Sequence, residues 1–239
     1  MPSAARVAPW RPGRPVALGG GWSGRQIPGP AADHAEVAAL GPSASKGLSS
    51  DNGAVHAPLY LVRHGESEWN ARDLIQGQTA HPGLTAAGRE QAWLAGERIR
   101  RDLAAQQLAV GGITTSDLAR ATQTAGILAE VLGGRVRADV RWREQHLGDL
   151  QGMTKAQARQ RAGPHGPGID AGESDGALRQ RMAAAFEDLD PSAVQIVVSH
   201  RRALRQLTAH LLGLADGEQI RIPNGAAARW RAGDLHWLP

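Results

Sequence analysis

The sequence predicts an α/β protein: a three-layer α/β/α fold around a mainly parallel central sheet. Short apolar runs alternate with segments of helical period from Pro58 onward, and such alternation puts parallel strands between two helical layers. The run "VQIVVS" at 194–199 is the most strongly β-branched in the chain, which suits a strand buried on both faces. Polar residues follow several of the strands directly, as expected where an open sheet binds its ligand beyond the carboxyl ends of its strands.

The first strand is "LYLVR" at 59–63, an apolar run bounded by Pro58 and Gly65. A polar loop then runs to Pro82. A helix begins near Thr85, a residue type suited to an N-cap, and Ala92, Ala95, Ile99 and Leu103 recur along it at helical spacing. "GITTS" at 112–116 reads as a second strand. Leu118, Ala121, Ala125, Leu128 and Leu132 then fall three or four apart, the stripe of a core-facing helix. "RVRADV" at 135–140 is a third strand. "ESDGALRQRMAAAFEDL" at 173–189 is helical, "VQIVVS" is the fourth strand, and "RALRQLTAHLLGL" at 202–214 is a closing helix whose Leu204, Leu207 and Leu211 belong to the core.

Residues 1–56 are of a different kind. They are rich in Pro, Gly, Ala and Ser and carry neither period. Such a segment buries too little apolar surface to offset its ordering entropy, so a disordered extension is expected there, ahead of a folded domain over 57–239. No apolar core of a secretory signal follows the first arginines. An internal start at Val55, as a GTG codon, is one reading of the contrast, since no methionine falls between Met1 and Met153.

Composition narrows the function. Hydrophobic residues make up 41% and charged residues 21% of 239 residues, the balance of a soluble globular protein. No run approaches the roughly 18 apolar residues of a membrane span. With no cysteine, disulfides, thiolate catalysis and Cys-based zinc sites are excluded. A cytoplasmic location is the expectation. Of 27 basic residues only Lys46 and Lys155 are lysines, and the net charge is only +4. The arginines are spread along the chain among acids, and there is a single Tyr and a single Phe, so no nucleic-acid surface is expected.

Three strand ends carry chemistry. His64 follows "LYLVR", His200 follows "VQIVVS", and "SDLAR" follows "GITT". Hydrolysis of a phosphomonoester without a metal needs planar cations for the oxygens, an in-line nucleophile and an acid for the leaving oxygen. Arginine suits the first task, because its rigid fork binds phosphate bidentately and keeps its charge. Arg63 and Arg120 are the candidates. A neutral imidazole is a competent nucleophile, which points to His64, with His200 as a second, protonated donor. Glu144 is the candidate acid, with Asp149, Glu66 and Glu173 as the other carboxyls within reach. His81 and His146 read as loop residues. No His pair has the spacing of a zinc site, so neither metal nor cofactor is expected.

The blocks "LVRHGESEWN", "LTAAGREQA", "SDLARATQTA", "REQHLGDLQGMT", "GES" and "VVSH" resemble, in order and spacing, the phosphoglycerate-mutase-like branch of the histidine phosphatase superfamily. The resemblance runs from Pro58 to the end. It implies that His64 becomes a phosphohistidine, that Arg63, Arg120 and His200 bind the phosphoryl group, and that Glu144 acts as acid and then base. Asn70 and Gln76 match positions that line the pocket. The stretch around Glu144 looks most like phosphatases of phosphorylated glycerates and sugars, glucosyl-3-phosphoglycerate phosphatases among them.

One departure stands out. Most relatives place small residues after the second histidine, whereas this chain has Arg201 and Arg202. They either point away, add a site for a second anionic group with Arg201 as a substrate contact, or crowd the pocket. The expected partner is a small-molecule phosphate ester, and a homodimer is left open. Mutases of the branch cover the site with a long insertion after the Glu144 region. Only a short Gly- and Pro-rich stretch separates Gly152 from "GES" here, so water should enter and hydrolysis should prevail over transfer. A phosphoglycerate-mutase-type phosphotransferase and a catalytically impaired phosphate-binding regulator are the alternatives.

Overall fold

The computed structural model describes residues 57–239, apart from 163–171 and Glu218. The extension expected over 1–56 lies outside the described residues, as does the part of the Gly- and Pro-rich stretch over 163–171, His165 included.

The described chain runs β1 (Leu59–Arg63), α1 (Glu68–Ala71), α2 (Ala86–Ala105), β2 (Gly112–Thr115), α3 (Ala119–Leu132), β3 (Val136–Ala138), two short 3₁₀ turns, α4 (Lys155–Ala162), α5 (Asp175–Glu187), β4 (Gln195–Ser199), α6 (Arg201–Leu211), β5 (Ala227–Arg231) and β6 (Asp234–Trp237). The six strands form one sheet in the order β3-β2-β4-β1-β5-β6. β3, β2, β4 and β1 are mutually parallel, while β5 and β6 add an antiparallel hairpin beyond β1. That hairpin was not expected. Ala232 at φ 50° and Gly233 at φ 88° make its two-residue turn, the backbone that lets strands of natural twist pair tightly.

Alternation along the central strands fills both faces. Tyr60, Val62, Ile196 and Val198 join Ala95, Ile99 and Leu103 of α2 and Ala121, Ala125 and Leu128 of α3 in one buried cluster. Leu59, Leu61 and Val197 join Leu178 and Met182 of α5, Leu204, Leu207 and Leu211 of α6, and Trp142 on the opposite face. The three layers follow from this two-sided burial, and the helical stripes read from the sequence are the surfaces that meet the sheet. The third strand differs from the expectation in length. It keeps three residues, all exposed, at the sheet edge, because nothing covers their side chains on either face.

Candidate active site

Strand register assembles the site. In the parallel β1–β4 pair Arg63 lies opposite Ser199, so the next residues, His64 and His200, leave the sheet side by side. Their ring centroids are 5.0 Å apart. β2 pairs with β4 through Thr115 and Val198, which brings Ser116 to the same rim. Its hydroxyl lies 2.7 Å from Nε2 of His200. Three strands thus end at one place.

The loop after His64 is held by glycine. A Cβ on Gly65 would sit 2.0 Å from the carbonyl oxygen of Gly88 in α2, and one on Gly88 would sit 1.9 Å from that of Glu66. Neither residue tolerates a side chain, because two backbones touch there. Thr124 of α3 completes the brace: its hydroxyl accepts from the Gly65 N–H at 3.1 Å and donates to the Arg120 carbonyl at 2.8 Å.

The proton on His64 is fixed. Nδ1 lies 2.7 Å from the Gly65 carbonyl, and a carbonyl only accepts, so Nδ1 carries the hydrogen and Nε2 keeps its lone pair. Burial holds the His64 pKa well below its ordinary value, helped by the charges of Arg120 and Arg63. The ring is therefore neutral at pH 7, as a nucleophile must be. Burial, followed by Arg120, His64 and Arg63, also holds the His200 pKa well below normal, so the chain's own groups by themselves favour a neutral imidazole there. A bound dianion would supply the missing counter-charge.

Both arginines reach the rim with capacity to spare. Arg120, 1% exposed, donates from its two terminal nitrogens to the carbonyls of Thr79 and Gly77 at 2.9 and 2.8 Å. Arg63 donates to the Ile222 carbonyl at 2.7 Å. Burial pushes each guanidinium down to about 10, opposed by the nearby Glu144 carboxylate, and both remain charged at pH 7. Four buried side-chain polar atoms lack a hydrogen-bond partner among the described residues: Arg63 Nε, Arg120 Nε, His200 Nδ1 and Trp230 Nε1. Three of the four belong to this rim. Buried donors are nearly always satisfied, so their grouping marks where an anion with several oxygens would be held.

Glu144 is the carboxylate that the electrostatics tie to both arginines. The other acids considered are engaged elsewhere. Glu173 pairs with Arg181, Asp149 with Arg161, and Glu66 accepts from Thr85. Asn70 and Gln76 are organised by Ser67, a fully buried residue absent from the sequence-derived candidates. The Ser67 backbone N–H donates to Oδ1 of Asn70 at 3.1 Å and its hydroxyl donates to Oε1 of Gln76 at 2.8 Å, so both amides turn their carbonyls to Ser67 and keep their N–H₂ groups for other acceptors. A Ser-x-x-Asn capping box was the available signal. Ser116 and Thr124 were also missed, since their partners lie 84 and 59 residues away. His81 is exposed against the edge of Trp69, and His146 lies in a loop. Arg201 is exposed and makes no hydrogen bond or ion pair among the described residues, yet its charge acts on Arg63. No group of three or more His, Asp or Glu among them could hold a metal ion, and none of their helices is long and apolar enough to cross a membrane.

The chain is similar to known proteins in sequence and in fold. Probable phosphoglycerate mutase GpmB of Klebsiella pneumoniae is 39% identical over 194 residues, 75% of this chain and 87% of that protein. The mycobacterial glucosyl-3-phosphoglycerate phosphatase solved with VO3 superposes with a TM-score of 0.61 at 30% identity, over 76% of this chain and 96% of that one. YhfR of Bacillus stearothermophilus gives 0.63 at 30% identity, over 76% and 95%. The sequence profile of the histidine phosphatase superfamily (branch 1) matches residues 59–236, and the chain belongs to that superfamily.

Proposed function

We propose that this protein is a phosphomonoesterase that hydrolyses a small phosphorylated metabolite through a phosphohistidine at His64, without a metal. The observation that carries the reading is the cluster of unpartnered buried nitrogens on Arg63, Arg120 and His200 around a histidine whose Nε2 is free. Nε2 of His64 attacks phosphorus, forming N–P as the ester P–O bond breaks. Glu144, once it has taken up a proton beside the bound dianion, gives that proton to the departing oxygen. It then takes a proton from water, whose oxygen displaces the imidazole and releases phosphate. The arginines hold the equatorial oxygens throughout, with their charge already in place.

The substrate is a small molecule bearing hydroxyls or a second negative group, with phosphosugars and phosphorylated glycerates first. Exposed Arg201 beside Arg63 supports this choice, with Arg201 as the contact to the second anion. Pocket crowding finds no support, since the Arg202 guanidinium turns to Gln145 and Asp175. The mutase reading has one observation in its favour, the name carried by curated relatives such as GpmB.

The test is phosphate release from a small aryl phosphate with and without chelator, together with trapping of acid-labile phosphate on wild type and on His64→Ala. Metal-independent turnover and label lost in His64→Ala are expected. Inactivity across a broad panel of phosphate esters, or a need for a divalent ion, would sink the proposal. Interconversion of 2- and 3-phosphoglycerate faster than phosphate release would turn it into a mutase.

A further inference from the structure

Arg201 and Arg202 are neighbours in sequence and part company in the structure. Arg201 faces solvent. Arg202 sends its guanidinium to Oε1 of Gln145, which accepts from NH1, and lies 3.8 Å from Oδ1 of Asp175. Gln145 directly follows Glu144 and is completely buried. Its Nε2 donates to the Glu173 carbonyl at 2.8 Å and to Asp175 Oδ1 at 2.7 Å, so the amide is gripped at both ends. The Glu144 carboxylate accepts from three backbone N–H groups: Gln145 and Ala203 at 3.0 Å and Arg202 at 3.2 Å. It therefore rests on the first turn of α6, and from that turn the Arg202 side chain reaches back to the residue beside the carboxylate. Arg181 closes the frame from below. It donates to the carbonyls of Arg141, Arg143 and Glu144 and forks onto Glu173.

We infer that Arg202 is a positioning residue for Glu144. Its guanidinium ties the 144–145 segment to α6 through one nitrogen, which donates to Gln145 and faces Asp175, so that the carboxyl stays aimed at the leaving oxygen while Arg202 itself never touches substrate. The inference rests on the phosphatase reading above. Two features give it physical weight. A hydrogen bond from a charged donor is stronger than a neutral one, and this one falls on an amide already held at its other end. A displacement of about 1 Å at a reacting group can cost about a hundredfold in rate, so a tie one residue from the acid bears on catalysis.

A misplaced acid has a signature that neither a damaged phosphate clamp nor a weakened fold shares. An alkyl phosphate expels a poor leaving group and needs the proton. p-Nitrophenyl phosphate expels a stable phenolate and needs it far less. The experiment measures the rate of phosphoenzyme formation by rapid quench, with an alkyl phosphate and with p-nitrophenyl phosphate, on wild type, Arg202→Ala, Arg202→Lys and Glu144→Gln. The ratio of alkyl to aryl rates should fall about tenfold or more in Arg202→Ala, in the direction of Glu144→Gln, and recover in part in Arg202→Lys. Equal losses on both esters, or no loss, would overturn the inference. Should Arg202→Ala fail to fold, Asp175→Asn removes the carboxylate from the same tie, and an unchanged ratio there overturns it equally. Absence of phosphoenzyme on wild type with either ester is a separate failure, that of the phosphatase reading itself.

Discussion

At the rim, single protons and single donors decide what the pocket can do. Nδ1–H of His64 is tied to the Gly65 carbonyl, so Nε2 alone faces chemistry, and the unsatisfied Nε groups of Arg63 and Arg120 await oxygens. Arg120→Lys keeps the charge and loses the fork. kcat/KM for an aryl phosphate should fall by about 10²–10³, the scale for removing one preorganised donor, and steady-state kinetics will show whether it does. Arg201→Gly should act differently. It should raise KM about tenfold, roughly 1.4 kcal/mol, for a carboxylated or bisphosphorylated substrate and leave a neutral aryl phosphate nearly unchanged. Equal effects on both would mean that Arg201 only shapes the common pocket. The residues proposed to hold phosphate were nominated from the sequence because each ends a strand, directly follows one or opens a helix. Ser67, Ser116, Thr124 and Gln145 were not. A serine or threonine has many local uses, and only the fold reveals that these four hold the others in place.

At the scale of elements, the sheet and its helices were legible wherever one period dominates. β1, β2, β4, α2, α3 and α5 fall within about two residues of their expected spans, the ordinary uncertainty of helix and strand ends, and α6 stops three residues short, at Leu211. The missed pieces lack a period. In "AARWRAGDLHW" arginine and tryptophan share the alternating positions of the first strand, and the second strand is only four residues long, alternating exposed with partly buried residues, so its apolar face is too short to announce the hairpin. α4 is strongly polar, with Ala158 as its buried residue. The contact between Gly65 and Gly88 was equally invisible, because two glycines 23 positions apart carry no signal of touching. It brings the start of α2 against the backbone that directly follows His64. Gly88→Ala must push α2 away from Glu66, an overpacking cost of about 1–3 kcal/mol, and should shift His64 with it. A lowered urea midpoint together with slower phosphoenzyme formation is expected. A variant as stable and as fast as wild type would show that the close approach is not needed.

Over the described domain as a whole, the consequence of building such a site is a stability that depends on pH. Two histidines and two arginines are packed together, with the histidines held neutral by burial and by those arginines. The unfolded chain holds its histidines near 6.5. Their native values lie well below this, so between the two the unfolded state binds more protons, and stability rises with pH. Acidification from pH 7.5 to 5.5 should therefore weaken the protein, by up to about 1.4 kcal/mol per pH unit for each histidine once below 6.5. Carboxylates contribute in the same direction at lower pH, so the difference between wild type and variant is the informative quantity. His200→Asn removes one of the two titrations and should lose visibly less stability than wild type over the same interval in urea unfolding. Inorganic phosphate or vanadate should flatten the wild-type dependence further, because a dianion beside His200 favours the protonated ring and binds the native state alone. Parallel pH profiles for wild type and His200→Asn would mean that His200 is not held neutral in the folded protein.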